Sequence, residues 1–346
     1  QALLRLISAI ISPSLPAIPA TPEKAMSHIN GAESGKTDKP GGVQAILHAL
    51  SPKVTRFHND PDYLLNTNTA LLKLYIVLLL PLAAYHLAVG FGIAESWYLW
   101  AIALLFLIPH FGISLLVSLL YSGTVAWNVT IDISLPAGVA LVAAGVYLGI
   151  VTAALMHTVV HLSIKPRWLN NLIGEICALQ QLVGVAEWGI AHILFHHRYP
   201  DDPENDPHPP EGQSYPRYAL NMKFTTAMFV NNAYFRKWGQ TEDREKTWQK
   251  TGFSILAVGA LRVTLWFLLL GPVYFMLFYI PSQLASMLLY THFNYFTHLP
   301  DENGNYVPVN CDNRGLIRIL NALTFNAYYH KNHHDNPGAF NPKYVA

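Results

Sequence analysis

Residues 71–93, 97–121 and 136–160 are each apolar over enough length to cross a bilayer. A helix rises about 1.5 Å per residue, so ~20 apolar residues span a hydrocarbon core of about 30 Å. Residues 253–290 are long enough to cross twice, with Gly271-Pro272 as the expected break. Residues 171–195 are also apolar, but Glu175, Gln180, Gln181 and Glu187 interrupt them. Trp97, Tyr98, Tyr121 and Tyr290 stand near the ends of these stretches, where amphipathic rings sit at headgroup level. Composition agrees: 52% of residues are hydrophobic and 12% charged, against about 25% charged in soluble domains. The expected fold is all-α, a polytopic transmembrane helix bundle.

Residues 1–68 are mixed and polar, with a Pro/Ser/Ala-rich opening and no convincing cleavable signal. They are expected to form a partly flexible cytosolic segment ahead of an integral-membrane catalytic domain over residues 69–346. A net charge of +1 gives no reason to expect a nucleic-acid partner. Cys177 and Cys311 make neither a disulfide framework nor a cysteine-rich metal site. Lys and Arg gather before residue 73, between residues 165 and 250, and after residue 310; residues 94–96 and 122–133 contain none. The positive-inside rule then puts the N-terminus and the histidines described next on the cytosolic side. That requires an even number of crossings before His157, yet three apolar stretches precede or contain it. One of them must be re-entrant or broken, with Pro109 a possible break.

Nine of the sixteen histidines fall in four clusters, each near the end of an apolar stretch. The first is His157-Thr-Val-Val-His161, whose i, i+4 spacing puts both rings on one helical face. His192-Ile-Leu-Phe-His196-His197 repeats the pair and adds an adjacent ring. His330-Lys-Asn-His333-His334 offers i, i+3 and i, i+4 pairs, and His298 stands alone within Asn294-Tyr-Phe-Thr-His298. Histidines that merely fill a core would be scattered, as His86 and His110 are. A structural zinc takes four ligands, commonly cysteines, so nine imidazoles are too many for one. Copper also accepts imidazole. Soluble di-iron bundles rely on glutamates and Glu-x-x-His, a pattern absent here. The ligand set therefore favours two iron ions held by neutral imidazoles, with positions left for O2. A membrane metal transporter would instead place its histidines at mid-bilayer on broken helices.

The three boxes HxxxH, HxxxHH and HxxHH resemble those of the membrane fatty-acid desaturase and hydroxylase superfamily. Three residues before the double histidine, as at His192, is similar to the alkane monooxygenase branch; acyl-CoA desaturases usually have two. Asn294-Tyr295-Phe296-Thr297-His298 resembles that branch's NYxxH element, and the nine histidines match its nine-ligand site. The resemblance covers roughly residues 70–340. It implies a cytosolic histidine-rich cap holding a di-iron site, and an interval between His161 and His192 that stays on one side of the membrane. Thr158, Val159, Val160 and Phe195 depart from the HELGH and HxxGHH forms of the alkane enzymes. Glu187-Trp188, Asp202 and Asp206-Pro207-His208 are similar to desaturases instead.

A ligating imidazole usually hands its other N–H to a carboxylate or carbonyl. Glu187, Asp206, Asn294 and Asp335 are the chosen supports, from a wider set that includes Glu175 and Asp202; His208 and His292 are not expected to be ligands. Arg262 lies inside an apolar stretch, where an arginine reads as a functional site. It is expected either to bind a substrate carboxylate or to pair with Glu175 or Glu187. The expected activity is O2-dependent oxidation of an unactivated C–H bond in a long alkyl or fatty-acid chain, with hydroxylation the first choice. Decarboxylation to a terminal alkene, or desaturation, is the alternative on the same scaffold. No flavin, haem or nucleotide fingerprint is present. Electrons are therefore expected from a ferredoxin or rubredoxin and its reductase, docking near Lys165, Arg167, Arg198 and Lys331.

Overall fold

A computed structural model describes residues 53–90, 133–199, 202, 206 and 212–345. The expectations for the first 52 residues and for the stretch 97–121 lie outside the described residues. Within them the fold is the expected all-α membrane bundle. Three segments are long and apolar enough to cross a bilayer: Tyr63–Ala84, Leu135–Val160 and Glu242–Thr297.

The first segment belongs to helix α1 (Tyr63–Gly90), which starts eight residues before the apolar stretch at 71. Its added turn is polar but buried, because Asn68 donates to the Leu64 carbonyl (3.0 Å) and to Glu187 (2.5 Å). Helix α2 (Leu135–Val160) begins after Ser134 with Pro136 in its first turn, where the missing N–H costs nothing. Helix α6 (Glu242–Tyr274) breaks at Gly271, whose φ of 68° and ψ of 170° interrupt the helix just before Pro272. A π-helical turn (Phe275–Tyr279) then leads into α7 (Ile280–Thr297). Trp266 stacks on Tyr279 at 5.4 Å. Thirteen residues of straight helix would separate them by about 20 Å, so the chain doubles back as a hairpin, as the sequence suggested.

The hairpin's arms pack on different partners, α6 on α1 and α7 on α2. Gly145 and Gly149 let α2 approach closely: a Cβ on either would collide with the Phe278 or Ser282 carbonyl. Small residues at i and i+4 serve this purpose in membranes, where van der Waals contact replaces the hydrophobic drive.

Between α2 and the hairpin, α3 (Arg167–Gln181) bends by 99° into a segment made of α4 (Val185–Gly189) and a π-helix (Ile190–His196). Along α3, Trp168, Leu172 and Ile176 form an exposed stripe, while Cys177 and Ala178 are buried against Met156 and Val159 of α2. Its glutamines are buried but satisfied, Gln181 donating to Thr152 (2.7 Å) and Gln180 to Ser282. Helix α5 (Tyr215–Trp238) packs on α7 and the π-helix. After α7 come a two-stranded hairpin (β1, His298–Pro300; β2, Tyr306–Pro308), α8 (Gly315–Leu323) and α9 (His330–Asp335).

The ends of α2, the π-helix and α7 meet at one face with α9. The start of α1 is there too, with Tyr63 and Leu64 packed against Ile190 and Leu194. Leu79 and Leu82, toward its other end, meet Leu268 and Leu269 beside the hairpin turn. Hence two described spans precede the histidine face, an even number. Gly90 and Leu135, which flank residues 91–132, both lie toward the opposite face.

Candidate metal centre

Eight of the nine expected histidines gather into two groups. His157, His161, His192 and His333 form one; His196, His298, His330 and His334 form the other; within each, the ring nitrogens offered as ligands lie within 4.8 Å of one another. His197 is the ninth. Its Nε2 lies 3.1 Å from both His192 Nε2 and His333 Nε2, which attaches it to the first group.

The boxes do not map one to a group. The i, i+4 pair expected from His192 and His196 is divided between the two groups, and His192 partners His197 instead. The cause is local: the segment winds as a π-helix, His197 N–H donating to the His192 carbonyl at 2.9 Å in an i→i+5 bond. The third box divides as well, His330 and His334 staying together (3.1 Å) while His333 crosses to the first group.

These contacts fit metal ligation. Nε2–Nε2 distances are 3.0 Å for His161–His192, 3.1 Å for His330–His334 and 3.2 Å for His196–His334. With metal–imidazole bonds of about 2.1 Å, ligands at right angles stand about 3.0 Å apart. Hydrogen bonding between the rings is a poor substitute. His196 Nδ1 donates to Asp206 (3.0 Å) and His298 Nδ1 to the Asn294 carbonyl (3.0 Å). A neutral ring at either position therefore turns a bare lone pair inward. The Nε2 atoms of His157 and His298 are buried with no hydrogen-bond partner among the described residues. A cation is the partner that such nitrogens lack.

Burial also keeps the rings neutral. It pushes His197 down to about 3 and His334 to about 2, helped in each case by neighbouring imidazoles. His330 and His333 are likewise driven well below the usual imidazole range, mainly by burial. Neutral imidazole is the ligating form.

The expected supporting residues fare differently. Asp206, fully buried, meets His196 through both carboxylate oxygens. Asn294 acts through its backbone carbonyl, and its side chain approaches the Met222 sulfur at 3.9 Å. Glu187 accepts from Asn68, while Asp335 pairs with Lys331 on the surface and reaches the neighbouring His334 only through its charge. Arg262 is 2% exposed and held by Glu175 (3.0 Å) and Tyr75 (3.1 Å), tying α6 to α3 and α1.

Trp188, noted in the sequence only as part of a likeness to desaturases, is a further support. It stacks on His192 at 5.3 Å and 9°, and Tyr290 packs against it at 4.8 Å. A small apolar cleft of about 20 Å³ escaped notice. It lies between α2 and α7, with Ala153, Ala154, Leu289, Phe293 and His157 among its lining residues. Its lining is ordinary apolar sequence, and only the helix pairing brings it together.

The family model described as "Fatty acid desaturase" matches residues 133–344, the part of the chain that carries every histidine of both groups. No curated protein and no solved structure matches the chain.

Proposed function

The chain belongs to the fatty acid desaturase family, and from that membership we propose a di-iron oxidoreductase that spends O2 on a C–H bond of a fatty chain. The carrying observation is the pair of histidine groups, largely buried, neutral and spaced as ligands. His157, His161, His192, His197 and His333 would hold one iron; His196, His298, His330 and His334 would hold the other. Bound there, the irons would supply reductive activation of O2 and oxidation of the alkyl chain.

The protein's own part is positional. Asp206 and the Asn294 carbonyl orient His196 and His298, fixing which nitrogen faces inward. Trp188 holds the plane of His192. The apolar walls of the cleft that includes His157 would guide an alkyl chain toward the site. Electrons would arrive from a ferredoxin or rubredoxin and its reductase, meeting Lys165, Arg167, Arg198 and Lys331 on the cytosolic side. Residues 1–68 would lie outside this catalytic domain, residues 69–346.

Hydroxylation is the outcome favoured by the HxxxHH and NYxxH elements, and desaturation is the second reading, favoured by the family match. Alkene formation by decarboxylation loses its expected carboxylate anchor, because Glu175 occupies Arg262. The deciding experiment supplies reduced enzyme with a fatty acid and a matched alkane and identifies the products by mass spectrometry. Metal analysis of the same preparation should find about two irons per chain, falling on His196→Ala or His334→Ala. Stoichiometric zinc, or one metal surviving all nine substitutions, would overturn the metal assignment.

A further inference from the structure

Helix α8 is too short to cross a membrane, yet it exposes apolar side chains. Ile317 and Leu320 pack against Ala153, Leu289, Phe293 and Tyr328, and buried Asn321 accepts from the Tyr328 N–H (3.1 Å). Leu316 and Ile319 face outward, 60% and 59% exposed. Arg314 and Arg318, one turn apart, are exposed as well. A short basic amphipathic helix of this kind suits a membrane surface.

Its height along α2 supports that setting. Twenty residues of helix cover the hydrocarbon core of about 30 Å, so a boundary crossed at Leu135 is met again near Ala154. The cluster under α8 contains Ala153 and draws in Ile150. Helix α8 thus lies level with the point at which a span begun at Leu135 would leave the hydrocarbon. Helix α3 instead runs antiparallel along α2, with Gln181 beside Thr152, Cys177 and Ala178 beside Met156, and Gly174 beside Val159.

We propose that α8 is an in-plane anchor seated on anionic phospholipid, with Leu316 and Ile319 at the acyl boundary and Arg314 and Arg318 against headgroup phosphates. The helix runs directly into Thr324 and Ala327, which wall the apolar cleft. The lipid contact therefore also holds the cleft mouth at the bilayer edge. This inference rests on the membrane spans and not on the identity of the metal.

The test uses full-length protein in nanodiscs containing phosphatidylglycerol, with Cys311→Ser to leave only buried Cys177. Nitroxides at Leu316→Cys and Ile319→Cys should relax faster with dissolved oxygen than with a water-soluble nickel chelate. One at Arg318→Cys should show the reverse. Nickel-dominated relaxation at both apolar positions overturns the anchor. Spin-labelled phosphatidylglycerol should associate more weakly with the Arg314→Gln/Arg318→Gln variant, by about fivefold for each arginine removed. Unchanged association combined with a raised KM for free fatty acid would assign the arginines to substrate and overturn the phospholipid contact. Iron content, measured in parallel, reports separately on the metal reading.

Discussion

His197 Nε2 lies 3.1 Å from His192 Nε2, five residues apart in a helix where partners four apart would be usual. The π-helical segment Ile190–His196 makes the contact by accommodating one extra residue. In a plain α-helix one residue shorter, His197 would be four positions from His192 and on the same face.

Deletion of Ile193 should therefore convert the segment to an α-helix and keep His192 and His197 together. About two irons per chain are expected to remain, measured by elemental analysis. Loss of both metals, with the helical circular dichroism intact, would remove the role assigned to the π-helix.

Asp206 orients His196 from a fully buried position. Asp206→Asn keeps a hydrogen-bond acceptor but removes the carboxylate charge that strengthens the imidazole as a ligand. Removing such a support typically weakens metal binding about 10- to 100-fold. Competition against a chelator should show this loss with helix content unchanged; equal retention of iron would make Asp206 a packing residue.

Arg262→Leu separates a structural ion pair from a substrate anchor. The substitution leaves Glu175 without its charge partner, and breaking a buried pair costs on the order of 3–5 kcal/mol. Glu175 retains Tyr75 as a donor and some exposure, so the lower end is expected. The melting temperature should drop, and turnover of fatty acid and alkane should fall together. A raised KM for the acid alone, at unchanged stability, would restore the anchor.

The exposed Lys165, Lys250 and Lys343 stand on segments tied to the histidine face or its approach. With cysteine at each position in turn, a membrane-impermeant maleimide should find all three in the cytosolic compartment. Labelling of any one from the other side would contradict the positive-inside assignment.

Bilayer thickness and helix rise made the crossing segments legible in the sequence, since both are fixed lengths that apolar runs can be measured against. The Gly271-Pro272 break was equally legible, because it depends on what two residues can do locally. So was the histidine inventory, since rings near the ends of apolar helices have little else to do in such numbers. Division of those rings between two groups was not. It depends on a π-helical turn that no residue in His192–His197 announces, and on α9 presenting His333 to one side and His330 to the other. The polar start of α1 was missed because Asn68 finds Glu187 119 residues away. Helix α5 was missed because its sequence carries no apolar run. Among the acids, Asp206 and Asp335 looked alike on the page, and only one is folded inward. Local chemistry and length are written along the chain; choice among equivalent partners is an energy of contact, and contacts between distant residues exist only once the helices have packed.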